Sequence, residues 1–181
     1  MSVYMPMSTS RRHNKIINEF IAKIYAFVDK KDFDVLSSDC ALVHWGAKNK
    51  THQKYSLVNI AAIAEENVDE FVSETINDLE FVQPDFLFFK DNPFLCNERE
   101  TLTAGCPDLI IEVWSNSNTK EERDFKHNLY ANSEIVEHWY IEQKSNEIAC
   151  FFGGDKLKNQ SLTDILKTQK GIEFDLRYLA I

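Results

Sequence analysis

The stretch CPDLIIEVWS, residues 106–115, sets a glutamate inside a run that otherwise reads as buried strand. Leu109, Ile110, Ile111, Val113 and Trp114 are residues that a sheet buries, and Glu112 stands among them. Alternate residues of a strand share a face, so Asp108, Ile110, Glu112 and Trp114 point one way and Leu109, Ile111 and Val113 the other. A lone ionised carboxylate in such company costs several kcal/mol unless it is paired or bound to a cation. A similar phrase, QPDFLFFKD (residues 83–91), lies upstream, and there Asp85 opens a second apolar strand. If the two strands are neighbours, Asp85 and Glu112 converge at one point of the sheet.

Working outward, Ile16, Ile17, Phe20, Ile21, Ile24, Phe27 and Val28 recur at helical spacing, which predicts an amphipathic helix over 11–29. His13 falls near the centre of its apolar stripe. Residues 33–45 read as strand, broken or bulged around Ser37, Ser38 and Asp39. In 57–79, Val68, Phe71, Val72, Ile76 and Leu79 suggest one or two short helices. Residues 81–89 and 106–114 are the apolar strands already described. Thr119 with Glu122 three residues on is a capping box, opening a helix over 119–131. EHWYIEQ and IACFF form a hairpin through Lys144, Ser145 and Asn146. SLTDILKTQ (161–169) reads as a short helix, and IEFDLRYLAI (172–181) as a strand or docked tail. Tyr130 and Trp139 read as core. This order predicts an α/β (α+β) domain over 1–181, a mixed sheet flanked by helices.

At 181 residues, 44% hydrophobic and 27% charged, the chain has the composition of one folded domain. The N-terminal segment has no apolar core of a secretory signal, and no run approaches the ~20 apolar residues of a bilayer span. Cys40, Cys96, Cys106 and Cys150 lack metal-ligand spacing and read as reduced thiols of a cytoplasmic protein. The net charge of −9 argues against tight, sequence-blind binding to phosphates.

Two convergent carboxylates raise each other's pKa unless a divalent cation lies between them. Mg²⁺ takes one or two carboxylates together with waters and phosphate oxygens. The helix after Glu112 brings Lys120, Arg123 and Lys126, and Lys126 lies beside Phe125 and Leu129 at its buried edge. Two strand acids and a lysine compose a site for metal-dependent phosphodiester hydrolysis. The same residues also suit a plainer role, a buried Glu112–Lys126 ion pair tying helix to sheet.

The succession VQPDFLFFKD, CPDLIIEVWSNSN and ERDFKHNLYANSEIVEHWYIE resembles the Uma-type restriction-endonuclease family of the PD-(D/E)XK nuclease superfamily. The likeness runs from the first helix to the closing GIEFDLRYLAI and is interrupted over residues 46–80, which read as a helical insertion. It implies a restriction-endonuclease-like fold and Mg²⁺- or Mn²⁺-dependent cleavage of DNA, with a homodimer as a way to cut both strands. Asp85 and Glu112 would be the metal ligands. The superfamily's usual E-x-K lysine would fall at 114, which is Trp114 here; the resemblance moves the lysine to the following helix, at Lys126. Ser115 matches the family's serine after the strand and is expected to shape the loop. Asp108 stands ~13 Å along the strand from Glu112, too far to share a cation with it, and is expected to order the start of the strand. His13 is a further candidate for lining the site. The acidic charge and the 46–80 insertion motivate an alternative, a binding or interaction module that keeps the fold without cleaving. A two-carboxylate glycosidase would leave Lys126 and the paired Pro-Asp phrases unexplained.

Overall fold

The computed structural model describes residues 10–27, 34–37, 41–44, 81–90, 94–96, 102–105, 107–131 and 136–181. Helix α1 (Arg11–Phe27) opens with Ser10 as its cap, whose Oγ accepts the His13 N–H at 3.2 Å. Its Ile16, Ile17, Phe20 and Ile24 are buried along one face. Phe20 packs among Phe86, Trp139 and Phe174, with ring centroids 5.0–6.2 Å apart. Removing a side chain so enclosed costs about 3–5 kcal/mol.

The central sheet runs β1 (Asp34–Ser37), β4 (Phe86–Phe89), β7 (Leu109–Trp114), β8 (Glu137–Glu142), β9 (Glu147–Phe152) and β10 (Asp155–Lys156), with β11 (Gln160–Ser161) also paired to β9. Strands β7 and β8 are parallel and the remaining pairs antiparallel. Every residue of β4 and β7 is buried, because both faces are covered, as expected of central strands that read as continuous apolar runs. Phe86, Phe88, Leu109, Ile111 and Val113 join the α1 core, which Leu162, Leu166, Phe174 and Leu176 complete from the C-terminal segment.

Helix α2 (Lys120–Ala131) is the crossover between β7 and β8 and covers the other face. The Thr119 Oγ accepts the Glu122 N–H at 3.2 Å, whereas the Glu122 carboxylate turns to Asn118 Nδ2, also at 3.2 Å. Half of the expected capping box is therefore made.

A second sheet runs β3 (Phe81–Val82), β2 (Ala41–His44), β6 (Leu102–Gly105) and β5 (Phe94–Cys96). Residues 33–45 divide as their polar centre suggested, and β1 and β2 enter different sheets. Residues 81–89 also split, because Pro84 has no N–H to give a ladder; β3 and β4 lie in separate sheets. The expected helix over 161–169 is corrected. The chain there turns at Ser161, whose Oγ accepts the Thr163 N–H, and then forms β12 (Ile165–Lys167), paired with β13 (Glu173–Asp175). The closing segment continues as β13 and a 3-10 turn over Arg177–Leu179. The expected insertion over 46–80 and its helices lie outside the described residues.

Candidate active site

Strand β4 pairs with β7 so that Phe86 faces Ile111. One step further along this register sets Asp85 opposite Glu112. The alignment is fixed by a side chain, since Asp85 Oδ2 accepts the Val113 N–H at 2.7 Å. Asp85 Oδ1 meets His13 Nε2 of α1 at 2.9 Å.

On the α2 face, Glu112 is held at both oxygens. Lys126 Nζ lies 2.8 Å from Oε2, and the Tyr130 hydroxyl donates to Oε1 at 2.6 Å. Lys126 donates again to the Gln83 carbonyl at 3.0 Å and sits 5.7 Å from the centre of the Trp114 ring. The ammonium thus occupies the space above the Trp114 ring. Glu112, Lys126, His13 and Asp85 are 1, 4, 5 and 6% exposed.

Such burial dominates the electrostatics. It pushes the Glu112 carboxyl up to about 7, against the pull of Lys126 and with a further push from the Asp85 charge. Burial alone would lower Lys126, but the Glu112 carboxylate keeps its ammonium above the ordinary lysine value. His13 is likewise opposed by burial and raised overall by its hydrogen bond to Asp85. Burial holds the Tyr130 phenol well above its ordinary value, so it remains a donor.

Asp85, Glu112, Lys126 and His13 therefore meet in one buried group, joined by Tyr130. Tyr130, whose apolar surroundings in the sequence place it in the core, is thus also a partner of Glu112. The signal was present, because Tyr130 follows Lys126 by four residues and shares its helix face. Asp108 and Ser115 lie elsewhere. Asp108 accepts the Lys90 N–H at 2.6 Å and pairs with Lys170, closing the opposite end of β7. Ser115 shapes the turn into α2: its N–H donates to Asn118 Oδ1 at 2.8 Å, and its carbonyl accepts Arg123 Nη2 at 2.9 Å.

Among the described residues no group of three or more His, Cys, Asp or Glu side chains forms a ready ligand set. Asp85 and Glu112 supply two hard carboxylates, the donor chemistry that suits Mg²⁺ or Mn²⁺. Each of their oxygens accepts one hydrogen bond described above and keeps a second lone pair. On donor type and number the pair fits such a cation.

The fold, a mixed sheet with a crossover helix over its central strand, is similar to a solved one. It matches the crystal structure of a putative nuclease from Anabaena variabilis with a TM-score of 0.61 at 11% identity, covering 98% of this chain and 86% of that one. The chain belongs to the Uma2 family, described as "Putative restriction endonuclease", which it matches over residues 2–177. No curated protein matches it. No helix among the described residues is long and apolar enough to cross a membrane.

Proposed function

We propose that this chain is a divalent-cation-dependent endonuclease that hydrolyses phosphodiester bonds in DNA. The observation that carries this reading is the Lys126 ammonium 2.8 Å from Glu112, beside the residue pair at which Asp85 faces Glu112 across two central strands. Asp85 and Glu112 would hold Mg²⁺ or Mn²⁺, which supplies Lewis-acid polarisation of the phosphate and activation of water. Lys126 orients the attacking water and offsets the negative charge that grows on the phosphate in the transition state. Tyr130 fixes the Glu112 rotamer, while His13 and the Val113 N–H fix Asp85. The group is closed to solvent, so action on DNA requires it to open. A dimer in solution would bring two such sites to the two strands of a duplex.

One observation favours the alternative, a binding module that does not cleave: the acids are buried and every one of their oxygens already has a partner. Cation binding separates the two readings. A cation that binds the folded chain alone raises its melting temperature. Saturable stabilisation by Mn²⁺, lost in Glu112→Gln, together with Mn²⁺-dependent nicking of duplex or single-stranded DNA lost in Asp85→Asn, is the expected result. Folded wild-type protein that shows neither response would leave the binding module as the reading.

A further inference from the structure

The register that joins Asp85 to Glu112 continues across the sheet. Glu112 faces Tyr140 on β8, and Tyr140 faces Ala149 on β9. At ~4.8 Å between strands, Ala149 lies roughly 10 Å from Glu112 along this row. Helix α2 spans the near part of the row, and the small side chain of Ala149 leaves the far part unfilled. The result is a cleft of about 290 Å³ between α2 and the strand ends, at the small end of the range for ligand pockets.

Its lining is partly aromatic and partly polar. Trp114 and Tyr140, 4% and 8% exposed, stack with ring centroids 5.3 Å apart and form its buried floor. Around it stand the partly exposed Phe151, His127 and Arg123, whose guanidinium lies 5.2 Å from the centre of the Trp114 ring. Rings and a guanidinium plane are the surfaces on which unpaired bases stack. The polar part holds Arg123, Ser145, Asn159 and three carboxylates, of which Glu142 is paired with Arg123 and Asp124 with Lys120, while Glu147 is exposed. The Glu147 carboxylate repels a phosphate but accepts a hydrogen bond from the amino group of adenine or cytosine. Trp114 links this cleft to the acid pair, because the ammonium that meets Glu112 lies over the same ring. A separation of ~10 Å is about three nucleotides at the 3.4 Å rise of a stacked strand, and fewer when the strand is stretched.

We infer that the cleft between α2 and β7–β9 receives one unpaired, amino-bearing nucleobase of the substrate strand, close to the phosphodiester at Asp85 and Glu112. This rests on the nuclease reading for its substrate and extends it, since a base can enter only from a single strand or after leaving the stack.

The test is equilibrium binding to full-length protein in EDTA, which suppresses cleavage, with short fluorescent oligonucleotides of dA, dC and dT and a duplex of equal length. An abasic position is then walked along the tightest single strand. The expected result is tighter binding of dA or dC than of dT or duplex, with one abasic position that weakens binding about tenfold, within the range measured for stacked bases. Ala149→Leu, which fills the cleft, and Phe151→Ala, which removes a wall, should erase that position-specific loss, their folding checked by circular dichroism. Equal affinity at every abasic position, or no single-strand binding at all, overturns the inference. So does competition by arginine amide without competition by adenosine or cytidine, which would assign the cleft to a protein side chain. Parallel assays with Mn²⁺ keep the two readings apart. Cleavage without a position-specific base effect removes the cleft's role and leaves the nuclease, whereas a base effect without cleavage supports the cleft and removes the nuclease.

Discussion

Asp85 accepts the backbone N–H of Val113 at 2.7 Å, across the boundary between β4 and β7. The carboxylate does the work of a ladder carbonyl where Pro84 interrupts the strand, and that contact holds the acid next to Glu112. The interactions around this point have consequences that can be measured one residue at a time.

Lys126 and Glu112 are coupled. Lys126→Met leaves a buried carboxyl facing Asp85 without its ammonium, and breaking such a pair costs roughly 3–5 kcal/mol. Glu112→Gln in the same chain should recover part of this, because neither charge is then left alone. Urea unfolding of the two single variants and the double variant measures the coupling; strictly additive changes would mean that the pair does not interact.

Tyr130→Phe keeps the ring and removes the donor to Glu112 Oε1. The buried oxygen then lacks a partner, and unfolding should become easier by about 1–3 kcal/mol. If Glu112 holds the cation as proposed, a less firmly oriented carboxylate should also lower Mn²⁺-dependent cleavage, by about 10–100-fold. Cleavage at the wild-type rate by a destabilised variant would confine Tyr130 to the core.

Asp108→Asn separates the two Pro-Asp aspartates. It weakens the pair with Lys170 and the tie to the Lys90 N–H at the far end of β7. Stability should fall by about 1–3 kcal/mol while cleavage per folded molecule is unchanged, as read from denaturant melts and a cleavage assay below the melting temperature.

Glu137 gives a pH dependence distant from the acid pair. Burial raises its carboxyl above the ordinary value of 4.5, opposed by hydrogen bonds from Gln169 N–H and Trp139 Nε1. A folded pKa above the unfolded one means that the native state binds the proton more tightly. This contribution is full below the unfolded value and is lost as pH rises through the folded one. Stability measured by urea melts should therefore decline across this window more steeply in wild type than in Glu137→Gln, and parallel curves would contradict the assignment.

Much of this was legible in the sequence because local rules and burial agree there. The apolar run of β7 with its single acid, the helical stripe of α1 and the Thr119 cap each point to one structure. Residues 161–169 misled because Leu162 and Leu166 are four apart, which puts two residues on one side of a helix and also of a strand. The Gln160 side chain tips the balance, bonding both the N–H and the carbonyl of Lys167 and serving β12 as a substitute strand partner. Strands β5 and β6 gave no periodic signal in their short segments. At the site, the convergence of Asp85, Glu112 and Lys126 could be anticipated from parity and helix facing. His13 could be expected beside the site from its place on the α1 stripe, but its choice of Asp85 as partner depends on how α1 lies across the end of β4, a tertiary fact with no local trace.

The crossover from β7 through α2 to β8 has a consequence for how such a site can vary. Trp114 stands where the resemblance to E-x-K sites would expect a lysine, and the Lys126 ammonium arrives above its ring from the helix. Strand and helix thus both give onto the space beside Glu112. A lineage that kept the crossover could transfer the lysine between strand and helix by point substitutions, with the positive charge never leaving its post. A lysine placed at 114 in a Lys126→Met background would test whether position in space, rather than position in sequence, is what the acids require.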